Sequence, residues 1–248
     1  MIEASRKFVC VRIESYASEE NQTIVRSYLN GRFANTAFCI LAPDGETRLT
    51  RGGRGPGMVA SGAEDFAAAL DRIASRYRPA GDPAEAAVPD FPEFELALNV
   101  SAADQRLLVL LAGDEEQLTT AEKRLRHLVW SPGVQGKFHY DADPTGAWKE
   151  PLGQGAEAGA GIYLVRPDAF GLRGSVVANL PLDAPAGSIR AALDRENVRF
   201  AESTEKKIYS DHVAEGRRKG ISIEMAMPFG EDRDADGVID ARGRKRRR

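Results

Sequence analysis

At 248 residues, 42% of them hydrophobic and 29% charged, the chain has the balance of a globular protein of one large domain or two ordinary ones, which argues against global disorder. Its formal net charge of -3 gives no general attraction to nucleic acid, so a nucleic-acid partner is not expected. No run reaches the length of a membrane-spanning helix, and the opening residues lack a basic region followed by an apolar one; read at face value, the location is cytoplasmic.

Residues 7–13 are a β-branched, apolar run of strand length. Residues 18–33 follow with Ile24, Val25, Tyr28 and Leu29 at helical spacing. Two strands are expected next, at 36–41 and 47–50, joined through Pro43, Asp44 and Gly45, because Asp-Gly supplies the positive φ angles of a tight antiparallel turn. A helix over 63–77 carries Phe66, Leu70, Ile73 and Tyr77 on one stripe. The stretch 79–93, rich in Pro, Ala and acidic residues and free of apolar periodicity, is expected to be a semi-rigid linker.

Beyond the linker, residues 94–100 and 107–112 read as strands, the second apolar enough to be buried on both faces. A helix over 115–128 aligns Leu118, Ala121, Leu125 and Leu128, and a short strand at 137–141 follows it. Strands at 161–165 and 174–178 precede a closing helix over 189–200, with Ser188 as its N-cap and Ile189, Leu193 and Phe200 turned inward. Residues 204–248 form an extension in which 221–229 reads as a strand tied to the second unit, before an acidic loop and a basic tail. That tail, 242–248, reads as a solvated terminus, with phosphates or anionic lipid as its alternative contact.

The orders β-α-β-β-α in residues 7–77 and β-β-α-β-β-β-α in residues 94–200 resemble the thioredoxin-like superfamily, and residues 35–53 track that family's strand, turn, strand and glycine pattern. The resemblance implies an α/β protein of two thioredoxin-like units with mixed sheets flanked by helices. Residues 1–78 would be a partial unit, 79–93 the linker, 94–203 a degenerate unit and 204–248 the extension. Family members place a nucleophilic cysteine at a helix N-terminus after a buried strand, where the helix dipole stabilises a thiolate. At the matching place stand Gly113, Asp114, Glu115, Glu116 and Gln117, which cannot exchange thiols. The family's cis-proline is also missing: the matching positions read Asn35-Thr36-Ala37 and Ala160-Gly161-Ile162, where a cis bond would cost about 3 kcal/mol.

Because residues 1–6 resemble only the end of a motif-bearing helix, the resemblance further implies that the chain starts late. A misread start, or a selenocysteine codon taken as a stop, would leave a thiol or selenol motif upstream of Met1, and the parent protein would be exported. A half-sheet left in this way would expose an unpaired strand edge, so a protein partner or self-association through that edge is expected.

The two cysteines, Cys10 and Cys39, fall in expected strands, where a buried thiol behaves as a small hydrophobe; the alternative is a regulatory disulfide. In the acidic loop, Asp232, Asp234 and Asp236 are followed by Gly237, and Val238 and Asp240 complete a pattern that resembles calcium loops. Its twelfth position is Gly243 instead of a bidentate carboxylate, so two readings stand: a weak site, with affinity on the order of 10⁻⁴ to 10⁻³ M, and a solvated acidic turn. His127, His139 and His212 lack zinc spacing, and Trp130 and Trp148 read as fillers of core or interdomain gaps. The function expected from all of this is a non-catalytic interaction or scaffold portion of a larger thioredoxin-family redox protein. Its alternatives are an oxidoreductase whose reactive motif lies upstream, and a calcium-stabilised extracellular binding module.

Overall fold

The computed structural model describes residues 2–11, 13, 15–16, 18–32, 34–78, 86–222 and 227. It is of mixed α/β type, with seven α-helices and one four-stranded sheet among the described residues. The chain divides into two compact units, Met1–Pro79 with Ser222–Arg248, and Ala80–Ile221. The calcium-loop residues Asp232, Asp234, Asp236, Val238 and Asp240 lie outside the described residues. Met227 donates its N–H to the carbonyl of Tyr16 at 3.1 Å, so this part of the expected 221–229 strand binds the first unit instead of the second.

In the first unit, α1 (Ile2–Ser5) precedes a segment expected to be a strand. The described part of 7–13 is not a strand, and Val9 (73% exposed), Val11 (74%) and Ile13 face solvent. The reason is pairing: a β-branched run has no stability as a strand until a neighbour takes up its backbone N–H and C=O groups. Helix α2 (Glu19–Tyr28) forms where the spacing predicts it, because the Ser18 hydroxyl caps the Asn21 N–H at 3.1 Å and two acidic residues fill the first turn. The hairpin expected over 36–50 is reduced to two isolated antiparallel bridges, Phe38 with Gly53 and Leu41 with Arg48. Its turn matches the sequence: Gly45 has φ of +74°, and the Asp44 carboxylate accepts from Glu46 and Thr47. Helix α3 (Ala63–Ala74) closes a small core in which Ala4, Ile40 and Leu70 meet Phe38 and Phe66.

The second unit begins earlier than the expected boundary at 94, because part of the supposed linker packs onto it. Residues 94–100 are also not a strand; they belong to helix α4 (Phe94–Asp104). Phe94, Leu98 and Val100 fit a period of two, but Phe94, Ala97, Leu98 and Ser101 fit the helical stripe, and the burial of Ala97 and Ser101 is explained only by the helix. Ser101 to Asp104 then carry the helix beyond strand length until Gln105 ends it at φ of +52°.

Strand β1 (Leu108–Ala112) is buried throughout, as its continuous apolar run requires, and leads into α5 (Glu115–Val129). Strands β2 (His139–Asp143), β3 (Gly161–Pro167) and β4 (Gly174–Leu180) complete the sheet in the order β2-β1-β3-β4. β2 runs parallel to β1, while β3 is antiparallel to both β1 and β4. On one face, Val109, Leu111, Tyr140 and Leu164 pack with Leu118 and Leu125 of α5 and with Leu193 and Phe200 of α6 (Ala186–Ser203). On the other, Leu108, Leu110 and Val165 pack with Phe94 and Leu98 of α4 and with Trp148. The sheet is thus the middle of three layers. Ser188 does not cap α6, which already begins at Ala186 after Pro185, and residues 209–218 form a further helix, α7 (Tyr209–Arg218), in the expected extension.

Candidate functional site

The N-terminus of α5 is the first place to look for chemistry, because it follows the buried strand β1 and its free N–H groups would stabilise an anion. Here the helix closes that position with its own side chains. The Asp114 carboxylate accepts the Gln117 N–H at 2.8 Å, and the Gln117 amide oxygen accepts the Asp114 N–H at 3.0 Å. This reciprocal cap meets two of the orphan donors, and Glu115 and Glu116 supply the negative charge that the dipole favours. No cis peptide bond occurs among the described residues, including the join at Ala160 and Gly161.

Both cysteines are free, and they differ in setting. Cys10 is exposed and not packed as expected, since no strand pairs with its segment among the described residues; its sulfur lies 4.0 Å from the Ser5 carbonyl. Cys39 is half-buried, with its sulfur 3.4 Å from the Thr50 carbonyl. Neither stands at a helix N-terminus where a thiolate would be favoured.

His139 Nε2 lies 3.1 Å from the Asp104 carboxylate, His212 stacks on Phe170 at 4.5 Å, and His127 is exposed. No group of three or more His, Cys, Asp or Glu side chains that could hold a metal is found among the described residues. Trp148 fills the core at 2% exposure against Tyr163, while the Trp130 indole donates to the Ala87 carbonyl at 3.2 Å.

Two groupings emerge that sequence reasoning missed. The first surrounds β2, where His139, Asp141 and Asp143 share the face turned toward α4 and stand in register with Leu108, Leu110 and Ala112. Asp143 is 6% exposed and structural: its carboxylate accepts the N–H groups of Thr145, Gly146 and Trp148, which turns the chain and seats the indole. Asp141 is 2% exposed. Burial, reinforced by the charges of Asp90, Asp143 and Glu95, pushes its carboxyl up to about 7, against the Phe91 N–H that favours the anion. A strand with Asp at alternate positions, opposite an all-apolar neighbour, was the available signal.

The second grouping is a cleft of about 290 Å³ lined by Arg166, Val177, Glu196, Arg199, Phe200 and Ser203. Glu196, 5% exposed, takes Arg195 Nε at 2.7 Å and Arg199 Nη1 at 3.2 Å, so its charge is compensated. The Arg166 guanidinium lies over the Phe200 ring at 5.4 Å and donates to the Ser203 carbonyl. These contacts tie the end of β3 to the end of α6.

Compared with family models, with curated proteins and with solved structures, the chain gives no match.

Proposed function

We propose that this chain is a non-catalytic thioredoxin-like protein that serves as an interaction or scaffold portion of a larger thioredoxin-family redox protein. The observation that carries the reading is the N-terminus of α5, which follows the buried strand β1 and is closed by the reciprocal cap of Asp114 and Gln117. Supporting it is the sheet of the second unit: a parallel β1-α5-β2 crossover followed by the antiparallel strands β3 and β4 is the arrangement used by the thioredoxin-like superfamily. In the first unit, Val9, Val11 and Ile13 expose apolar side chains, which suits a protein partner or self-association.

Insulin-disulfide reduction by the purified protein tests the first half of the reading. The expected rate equals the uncatalysed background at every dithiothreitol concentration; turnover above it, lost on Cys10→Ser or Cys39→Ser, would contradict the reading. Sedimentation tests the second half. Val9→Ser with Val11→Ser should reduce self-association, or leave a monomer that no longer binds the partner module, without a change in melting temperature.

A further inference from the structure

β2 is an edge strand, and an uncovered edge presents unpaired backbone groups to any passing strand. Residues 86–93 cover it. Val88 inserts into the core on the α5 side, and its N–H donates to the Glu122 carboxylate at 3.2 Å. The Ala87 carbonyl receives the Trp130 indole N–H, also from the α5 side. At the edge itself, the Asp90 carboxylate takes the Ala142 N–H of β2 at 2.8 Å, filling the role of a neighbouring strand's carbonyl. Phe91 then packs on the opposite face, with its ring edge-on to His139 at 5.8 Å.

This strap is fastened through carboxylates. Asp141 faces Asp90 on the strap, Asp143 on its own strand and Glu95 on α4. His139, on the same face of β2, is engaged by Asp104 of α4, and Glu122 of α5, which faces Asp90, is held by Arg126 at 3.0 Å. The closed strap therefore gathers three carboxylates around a fourth that is removed from water, and the cations nearby are already committed. Closure is comfortable only while the buried member is neutral.

We propose that residues 86–93 are a proton-controlled latch on the free edge of β2, closed while Asp141 holds its proton and released when Asp141 is ionised. Opening hydrates Asp141, takes Asp90 away from it and bares the Ala142 N–H. The sign follows from linkage. Because the closed form holds the proton more tightly than the open one, closure is strongest at acid pH and is lost progressively as pH rises toward neutrality.

Amide hydrogen exchange of Phe91 and Ala142 in the full chain, expressed as protection factors corrected for intrinsic exchange, reads the latch directly. Between pH 5 and 8 their protection should fall by at least about tenfold, while amides of β1 stay protected. In Asp141→Asn, which is neutral at every pH, the fall should vanish. Asp90→Asn keeps an acceptor for Ala142 but removes a neighbouring charge, so its transition should move to lower pH; this variant serves even if Asp141→Asn does not fold. Constant protection in the unmodified protein, an equal fall in Asp141→Asn, or an unmoved transition in Asp90→Asn would each overturn the latch.

Discussion

Asp141 shows how one side chain carries the cost of a fold. It is 2% exposed and stands in register with Leu110, where a carboxylate would be poorly solvated, and burial raises its carboxyl to about 7. Its ordinary value is 3.8, so the folded state holds an additional proton from roughly pH 4 to pH 7, and native stability declines as pH rises through that window. Asp141→Asn should flatten this dependence and be more stable than the unmodified protein at pH 8 by on the order of 2 kcal/mol in urea denaturation; equal slopes in the two proteins would contradict the assignment. Trp148 makes the opposite bargain. Positioned by the Asp143 turn and packed at a tilt against Tyr163, it should cost about 3–5 kcal/mol when replaced by Ala, measured by the same titration.

Among the elements, those with strong local chemistry are where the spacing places them. Helix α5 begins at Glu115 because Asp114 and Gln117 cap it reciprocally, and β1 is a strand because its five residues are apolar without interruption. Asp114→Ala should therefore cost about 1 kcal/mol in urea denaturation, and no loss would mean that the cap is not contributing. The elements that departed from expectation are those where local pattern serves two outcomes. Residues 94–100 fit both periods, and burial of Ala97 and Ser101 beside Leu98 decides for the helix. Residues 7–13 have the composition of a strand, and among the described residues no strand pairs with them. The strap was illegible for a different reason: its acidic and proline-rich composition reads as a linker, yet Asp90 at the sheet edge, with Val88 and Phe91 on its two faces, binds it to the second unit. Likewise, the site around Asp141 depends on which face of β2 meets α4, a property of the assembled layers that no local segment encodes.

For the whole molecule, the two units carry different parts of the account. The unit Ala80–Ile221 has three layers, with one apolar cluster on each face of its four-stranded sheet, and the N-terminus of α5 is capped by Asp114 and Gln117. The other unit has, among the described residues, a small core around Ala4, Ile40 and Leu70, the two free thiols and an exposed apolar segment. Small cores stabilise little, so hydrogen exchange should show α2 and α3 opening at lower denaturant than β1 and β3; simultaneous opening of all four would contradict this division.

Under the function proposed above, Asp114 and Gln117 take the position of a reactive thiol pair, and they stand three residues apart at the start of α5, the spacing of a Cys-X-X-Cys pair. Replacing them, as Asp114→Cys with Gln117→Cys in a Cys10→Ser, Cys39→Ser background, and measuring insulin reduction tests this most directly. The account predicts that the folded variant forms an internal disulfide under mild oxidation and gains dithiothreitol-dependent turnover that the unmodified chain lacks. A folded variant whose two thiols stay unpaired and inert, or an unmodified chain that already turns over, would contradict it.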